Sequence, residues 1–424
     1  MRGHHCGREP APALNSPNPA ASAAPEHDLR TRRRVVTFVF ITVFLDLIGF
    51  GIIIPLLPLY VQTMGGTAQV VGFILSSFSF TQLLATPVLG RLSDRIGRRP
   101  VILLSLAGNA ASMLIFALAT KMTLLPLLFA SRILAGATAG NLSACQAAIA
   151  DVTTGDDRAK GMGRLGAAIG LGMVLGPVLG STLARFGGWA PPLGAAVMAM
   201  ADLIAAYFFM PETRAKASPD QGPPSRAPKQ TLGQVLADRR ILMVMCLYFL
   251  VFMCITNLQV ALALLAKVRL AWGETEVGEL FALFGAITLI IQGGLIGKLV
   301  HAFGQLNVVI AGCVLTMLGL LVIGSAHHPV TMLVGTALMG SGIGVSNPIL
   351  ATLASTYAGE KRRGAVLGFA QSAGGLARTI GPVWGGFLFT RIGPGAPFAG
   401  GAIAAFLSIF LGLMLKKENA SRAT

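Results

Sequence analysis

The chain has 424 residues, of which 54% are apolar or aromatic and only 12% are Asp, Glu, Lys or Arg. That is about half the charge of a soluble domain, with more apolar surface than a water-soluble core of this length can hide. The net charge of +16 does not point to nucleic acid, because the basic residues sit in short segments between long apolar runs.

Residues 1–34 are rich in Ala and Pro with mixed charges, and are expected to form a disordered cytoplasmic tail, not a cleaved signal or transit peptide. Hydropathy then places spans at 35–61, 69–90, 100–120, 123–151, 162–185 and 190–210. Residues 211–240 hold Pro211, Pro219, Pro223, Pro224 and Pro228 with little apolar content, which predicts a cytoplasmic linker. Further spans follow at 241–266, 275–297, 306–325, 330–357, 364–388 and 395–415, and residues 416–424 form a second cytoplasmic tail. The expected fold is an all-α membrane protein of about 12 helices, with six-helix halves at 35–210 and 241–415.

Lysines and arginines orient the chain. With the N-terminus inside, 26 fall on the cytoplasmic side, 5 on the opposite side, and Arg132 and Arg378 lie within spans. That asymmetry puts both termini in the cytoplasm. The halves also repeat. Gly163, Gly170, Gly176-Pro177, Gly180 and Pro192 recur 205 residues later as Gly368, Gly375, Gly381-Pro382, Gly385 and Pro397. Gly90-Arg91-Leu92 with Gly97 recurs as Gly297-Lys298-Leu299 with Gly304, 207 residues later. Two parallel repeats flanking a cavity near the midplane is an arrangement of alternating-access transporters.

Charges buried in spans carry the sharpest functional signal, since each costs roughly 2.5–3.5 kcal/mol at the bilayer centre. Asp46, Arg132, Asp202 and Arg378 are the candidates. Asp46, near mid-depth of span 1, can take up and release a proton. Arg132 on span 4 cannot, but can bias a nearby carboxylate or hold substrate. Proton coupling by Asp46 with Arg132 stands against a purely hydrogen-bonded structural acid. Arg378 could contact an anionic group or pair with an acid across the halves. Asn257, Gln259 and Gln371 are uncharged polar groups that need an interior partner, so they join Arg378 as candidates for the substrate cavity. Phe78, Phe80, Tyr248, Phe249, Phe252, Phe281 and Phe284 could line an apolar part of it. The pair His327-His328 reads as an external turn.

Between spans 2 and 3 lies Gly90-Arg91-Leu92-Ser93-Asp94-Arg95-Ile96-Gly97-Arg98-Arg99. A loop this short must turn tightly, and an acid among arginines needs a defined partner, for which a helix N-terminus in the other half is suited. On span 5, Gly172, Gly176 and Gly180 share one helix face and Pro177 removes a backbone donor. Gly381 and Pro382 repeat the pattern on span 11. Ordinary close packing and a gating bend both fit these residues.

The loop 90–99 resembles the signature loop of the major facilitator superfamily at nearly every position. Leu45-Asp46 with Pro55 and Pro58 is similar to the first span of its drug:proton antiporters, most of all the tetracycline efflux proteins. Arg132-Ile133-Leu134-Ala135-Gly136 resembles their intramembrane arginine motif, with Ala135 where a glutamine is common. Gly172 to Gly180 resembles their span 5 motif, with Ser181 replacing a usual glycine, and Pro211-Glu212-Thr213 ends span 6 as in many relatives. The resemblance covers the first half closely and the second by repeat and layout. It implies a gating bend and a proton seal for the span 5 glycines. It also implies a conformational latch of Asp94, Arg98 and Asp151 that closes the outward-facing state.

The function implied is a proton-coupled secondary transporter, exporting small amphipathic compounds or drugs by alternating access. A metabolite or sugar importer or facilitator of the same fold is the alternative. A receptor or scaffold would leave Asp46 and Arg132 without a role. No nucleophile–base set or phosphate loop points to an enzyme, and the motive force must be an ion gradient. The resemblance departs from the tetracycline antiporters where Ser112 aligns with their span 3 acid. Spans 8 and 9 also lack their histidine and membrane-embedded acid, with only Glu276 and Glu279 at the mouth of span 8. Cys6, Cys145, Cys246, Cys254 and Cys313 show no CxxC spacing, so neither a disulfide framework nor a metal site is expected. The protein is expected to need no cofactor, to act as a monomer, and to sit in a cell membrane, the bacterial inner membrane suiting its lack of long external loops.

Overall fold

The structure, a computed structural model, describes residues 29–214 and 238–423. All regular structure among them is helical, as expected where lipid offers the backbone no hydrogen-bond partner. The first half comprises α1 (Leu29–Thr63), α2 (Ala68–Ile96), α3 (Arg98–Met122), α4 (Leu125–Ala137), α5 (Asn141–Val152), α6 (Gly155–Ala184) and α7 (Ala190–Phe209). The second comprises α8 (Arg239–Leu270), α9 (Glu274–Ile290), a π-helical turn at Ile291–Leu295, α10 (Ile296–Phe303), α11 (Gln305–Gly324), α12 (Pro329–Arg391) and α13 (Ala396–Ala423). Eleven stretches are long and apolar enough to cross a membrane. The arm of α12 beyond Gly359 is another segment of that length, less apolar because it carries Gln371, Arg378 and several glycines. Gly359, at φ 65°, turns the chain between the two arms in one residue, a conformation glycine adopts without strain. The layout agrees with twelve helices in two repeats.

Most of the expected tail 1–34 and linker 211–240 lies outside the described residues. At their edges, α1 already begins at Leu29 and α13 runs on through 416–423. Hydropathy marks where lipid begins, not where the helix ends. Span 4 is the main correction to the expected layout. It is broken at Thr138–Gly140 into α4 and α5, with Gly140 at φ −103°, ψ −7°. Thr138 closes the end of α4, its N–H at 3.1 Å and its Oγ1 at 2.9 Å both donating to Leu134 O.

The glycine faces read from the sequence pack as close helix contacts. α6 lies along α1, and a Cβ added at Gly176 would sit 2.7 Å from Gly51 Cα. The second half repeats this between α12 and α8, where Gly381 faces Thr256 and Gly385 faces Asn257. Gly176→Ala must push the helices apart and is expected to cost about 1–3 kcal/mol. Gly163→Ala, at a position facing open space, is the control. Thermal unfolding in detergent separates the two, and equal midpoints would refute the packing account.

Successive spans run antiparallel, so α1 starts and α13 finishes at one end of the bundle, here termed the tail end. At the far end the halves are locked together. Ser76 Oγ donates to Thr379 O at 2.5 Å, and a Cβ at Gly386 would meet Ala68 O at 2.4 Å. Across the bundle, a Cβ at Gly278 of α9 would meet Ser181 Cβ of α6 at 2.5 Å. Toward the tail end the same helices part: Gly90, Gly166, Gly293, Gly297, Gly364 and Gly368 have nothing within 4 Å of an added Cβ. The bundle is closed at its far end and open at its tail end.

Candidate functional site: a charged cavity between the halves

A cavity of about 360 Å³ lies between the halves. Its first-half wall comes from α1, α2, α3 and the broken α4–α5 segment, and its second-half wall from α8 and the second arm of α12. The break brings Ala135, Thr138, Ala139 and Asn141 onto that wall. An interrupted helix at a midplane cavity exposes backbone polar groups where a ligand or water can meet them.

Asp46 lines the cavity from α1, and Asn109 Nδ2 of α3 donates to its Oδ1 at 2.7 Å. Asn141 of α5 also faces this carboxylate, with its Nδ2 buried and holding no hydrogen-bond partner. Among the described residues no arginine or lysine pairs with Asp46. Arg132 lines the same cavity, is only 4% exposed, and stacks its guanidinium 4.8 Å from the Phe116 ring centroid. Its remaining contacts are weak ones to Ser131 Oγ at 3.4 Å and Met113 Sδ at 3.7 Å. Opposite, Arg378 lies 4.9 Å over the ring of Phe252, which stacks on Tyr248. Neither guanidinium has a carboxylate partner among the described residues. The cavity thus holds two cations held by aromatic faces and one acid held by the Asn109 amide, with the Asn141 amide beside it.

Of the sequence candidates, the structure brings together Asp46, Arg132, Gln259, Gln371, Arg378, Pro382 and Phe78. Asn257 is not on the cavity wall: it is 1% exposed and packs against Gly385, with both amide atoms unpartnered. It occupies the second-half counterpart of the α1–α6 glycine contact, a placement that polarity alone does not reveal. Tyr248 and Phe281 are core residues, Phe80 is exposed, and Phe249 lines a separate apolar groove. Asn109, Asn141, Ser79, Gln82 and Phe50 line the cavity unforeseen. The rule that singled out Gln259, an uncharged polar side chain at mid-span, would have found Asn109. Ser112 is fully buried outside the cavity and donates to Asn109 O.

The segment 90–99, expected as a loop, is helical to Ile96 and again from Arg98, with the whole turn made at Gly97, and it lies away from the cavity at the tail end. Arg98 Nε bonds Asp151 Oδ2 at 2.9 Å and its NH1 bonds Asp94 Oδ1 at 2.5 Å. Asp94 is 66% exposed, and the ion pairs of all three residues stay inside the first half. A helix N-terminus in the other half is therefore not the partner of Asp94 in this state. Glu212, which the sequence offered only as part of a span-ending motif, caps α3: its Oε1 accepts from Arg98 N at 2.9 Å and its Oε2 from Arg99 N at 3.2 Å. Gly97, at φ 109°, makes room for it, since a Cβ there would lie 2.3 Å from Oε2. Glu212→Ala removes both acceptors from orphan helix donors and is expected to cost about 0.5–2 kcal/mol. Faster proteolysis at the α2–α3 junction around Gly97 would register it, and an unchanged cleavage rate would count against the cap.

A helical membrane bundle of two repeated halves, sealed at one end over a central cavity with intramembrane charges, defines a secondary transporter and not an enzyme. Residues 39–268 and 244–424 match the family model described as Major Facilitator Superfamily. The chain belongs to that superfamily. It is 30% identical over 351 residues to the class C tetracycline resistance protein of Escherichia coli, covering 81% of this chain and 86% of that one. To the human Major facilitator superfamily domain-containing protein 10 it is 29% identical over 444 aligned positions, covering 91% and 94%. The crystal structure of the human organic anion transporter MFSD10 superposes with a TM-score of 0.67 at 28% identity, covering 90% of this chain and 99% of that one.

Proposed function

We propose that the protein is a proton-coupled transporter that exports small amphipathic compounds by alternating access, with Asp46 as the coupling acid. The observation that carries this is the Asp46 carboxylate on the cavity wall, held by an amide and paired with no cation among the described residues. An acid without a fixed counter-charge in a cavity changes its charge state with what enters. Arg132 biases it and holds substrate. With the tail end cytoplasmic, as the 26 to 5 distribution of basic residues supports, the open cavity faces the cytoplasm and loads from there. Return to the outward-facing state closes the tail end, and the Asp94–Arg98–Asp151 group latches it. The tetracycline resistance relative supports the outward direction. The protein acts as a monomer in the bacterial inner membrane.

A second reading rests on the two unpaired guanidinium groups of Arg132 and Arg378. They suit a substrate with a carboxylate or sulfonate, and the organic anion transporter among the relatives supports it. The sign of coupling then reverses. A cation and a proton compete at Asp46 and exchange in opposite directions. An anion beside Asp46 favours its neutral form, so anion and proton travel together, and the transporter imports.

Proteoliposomes under an imposed pH gradient distinguish these readings. Lipophilic cations or neutral drugs that release protons in exchange support export. Organic acids that carry protons with them support the second reading. Labelled sugars or metabolites equilibrating with no proton flux would replace both with a facilitator.

A further inference from the structure

The first half buries a second carboxylate that no step above uses. Asp202 of α7 is 2% exposed and absent from the cavity wall. Thr42 Oγ1 of α1, itself fully buried, donates to Asp202 Oδ1 at 2.9 Å. Asp202 Oδ2 is buried with no hydrogen-bond partner among the described residues. A carboxylate kept for packing normally has its acceptors filled, because each unfilled one costs free energy out of water. Thr42 precedes Asp46 by four residues on the same helix, so the two project from one face of α1, about 6 Å apart along the axis. The ionisable groups that interact with Asp202 are Asp46 of α1 and the Cys145 thiol of α5. Among the described residues, no ion pair reaches Asp202 from α3 or α6, the other helices packed on α7. Cys145 Sγ donates to Asn141 Oδ1 at 3.3 Å, and Asn141 faces Asp46, so the polar groups form one cluster reaching from the cavity wall into the first half.

We propose that Asp202 is a second proton-holding carboxylate of the transport cycle, exchanging a proton with Asp46 through the Thr42 hydroxyl. The hydroxyl gives its proton to Asp202 Oδ1 and takes one from a water bridging the roughly 6 Å between Thr42 and Asp46, and that water takes its proton from the Asp46 carboxyl. One proton moves, Asp46 becomes the carboxylate, Asp202 becomes the neutral acid, and the hydroxyl is restored. Asp46 then meets substrate while the proton waits where substrate does not reach. The proposal rests on proton coupling through Asp46, in either direction of transport.

The test is Asp202→Asn in proteoliposomes, because asparagine still accepts from Thr42 and preserves the packing. Substrate counterflow, which needs no net proton movement, is expected to stay near wild type. Uphill transport driven by a pH gradient is expected to fall about tenfold, with a shifted pH profile. Thr42→Val should slow gradient-driven transport and Thr42→Ser should restore it. Equal losses of counterflow and uphill transport in Asp202→Asn would show a structural residue and overturn the proposal. So would uphill transport with the wild-type pH profile and proton-to-substrate ratio while Asp46→Asn is uncoupled. If wild type itself shows no proton coupling, the functional reading fails and takes this proposal with it.

Discussion

Asp46→Asn is expected to reduce gradient-driven transport by about 100-fold while leaving counterflow of uncharged compounds, which do not need its charge, largely intact. The substitution keeps shape and keeps an acceptor for Asn109 Nδ2, whose bond to Oδ1 is 2.7 Å in the wild type. What it removes is the ability to change charge. With residue 46 permanently neutral, occupancy of the cavity no longer depends on a proton, and the two conformations interconvert regardless of the gradient. Proton flux and substrate flux measured together in proteoliposomes check this. Tight coupling in the variant would mean that Asp46 is a hydrogen-bonded structural acid.

Arg378→Gln is expected to weaken binding of an organic anion by about 10- to 100-fold, the worth of a hydrogen bond to a charged group. Neutral or cationic compounds should bind as well as before, or better. Arg378→Lys should fall between, since lysine keeps the charge but loses the planar fork and much of the stacking on Phe252, now 4.9 Å away. Arg378 is the more informative of the two arginines. Arg132 is nearly fully enclosed, so its removal also perturbs packing around Phe116. Equal losses for anions and cations would mean that Arg378 shapes the cavity without reading charge, and the anion reading would fall.

Much of this protein is legible in the sequence because lipid imposes simple rules. Apolar runs had to become helices, the glycine offsets of 205 and 207 residues had to reflect a repeat, and a charge at mid-span had to face the interior. Hence Asp46, Arg132, Gln259, Gln371 and Arg378 meet in one cavity, as their depth and polarity suggested.

Other features depended on which helix faces which, and on the state of the bundle. Asn257 and Gln259 lie two residues apart on α8, yet one faces a glycine of α12 and the other the cavity, because helical rotation separates them by about 200°. The break in span 4 was hidden because Thr138–Gly140 is too short an interruption to register in a hydropathy window. Glu212 became a helix cap only when the end of α7 met the start of α3. Asp202 gained a partner 160 positions away in Thr42. Composition and periodicity fixed the solvent, the repeat and the depth of each charge, since these are properties of single helices. Which charges stay unpaired, and which end of the cavity is open, were decided by contacts between helices distant in sequence.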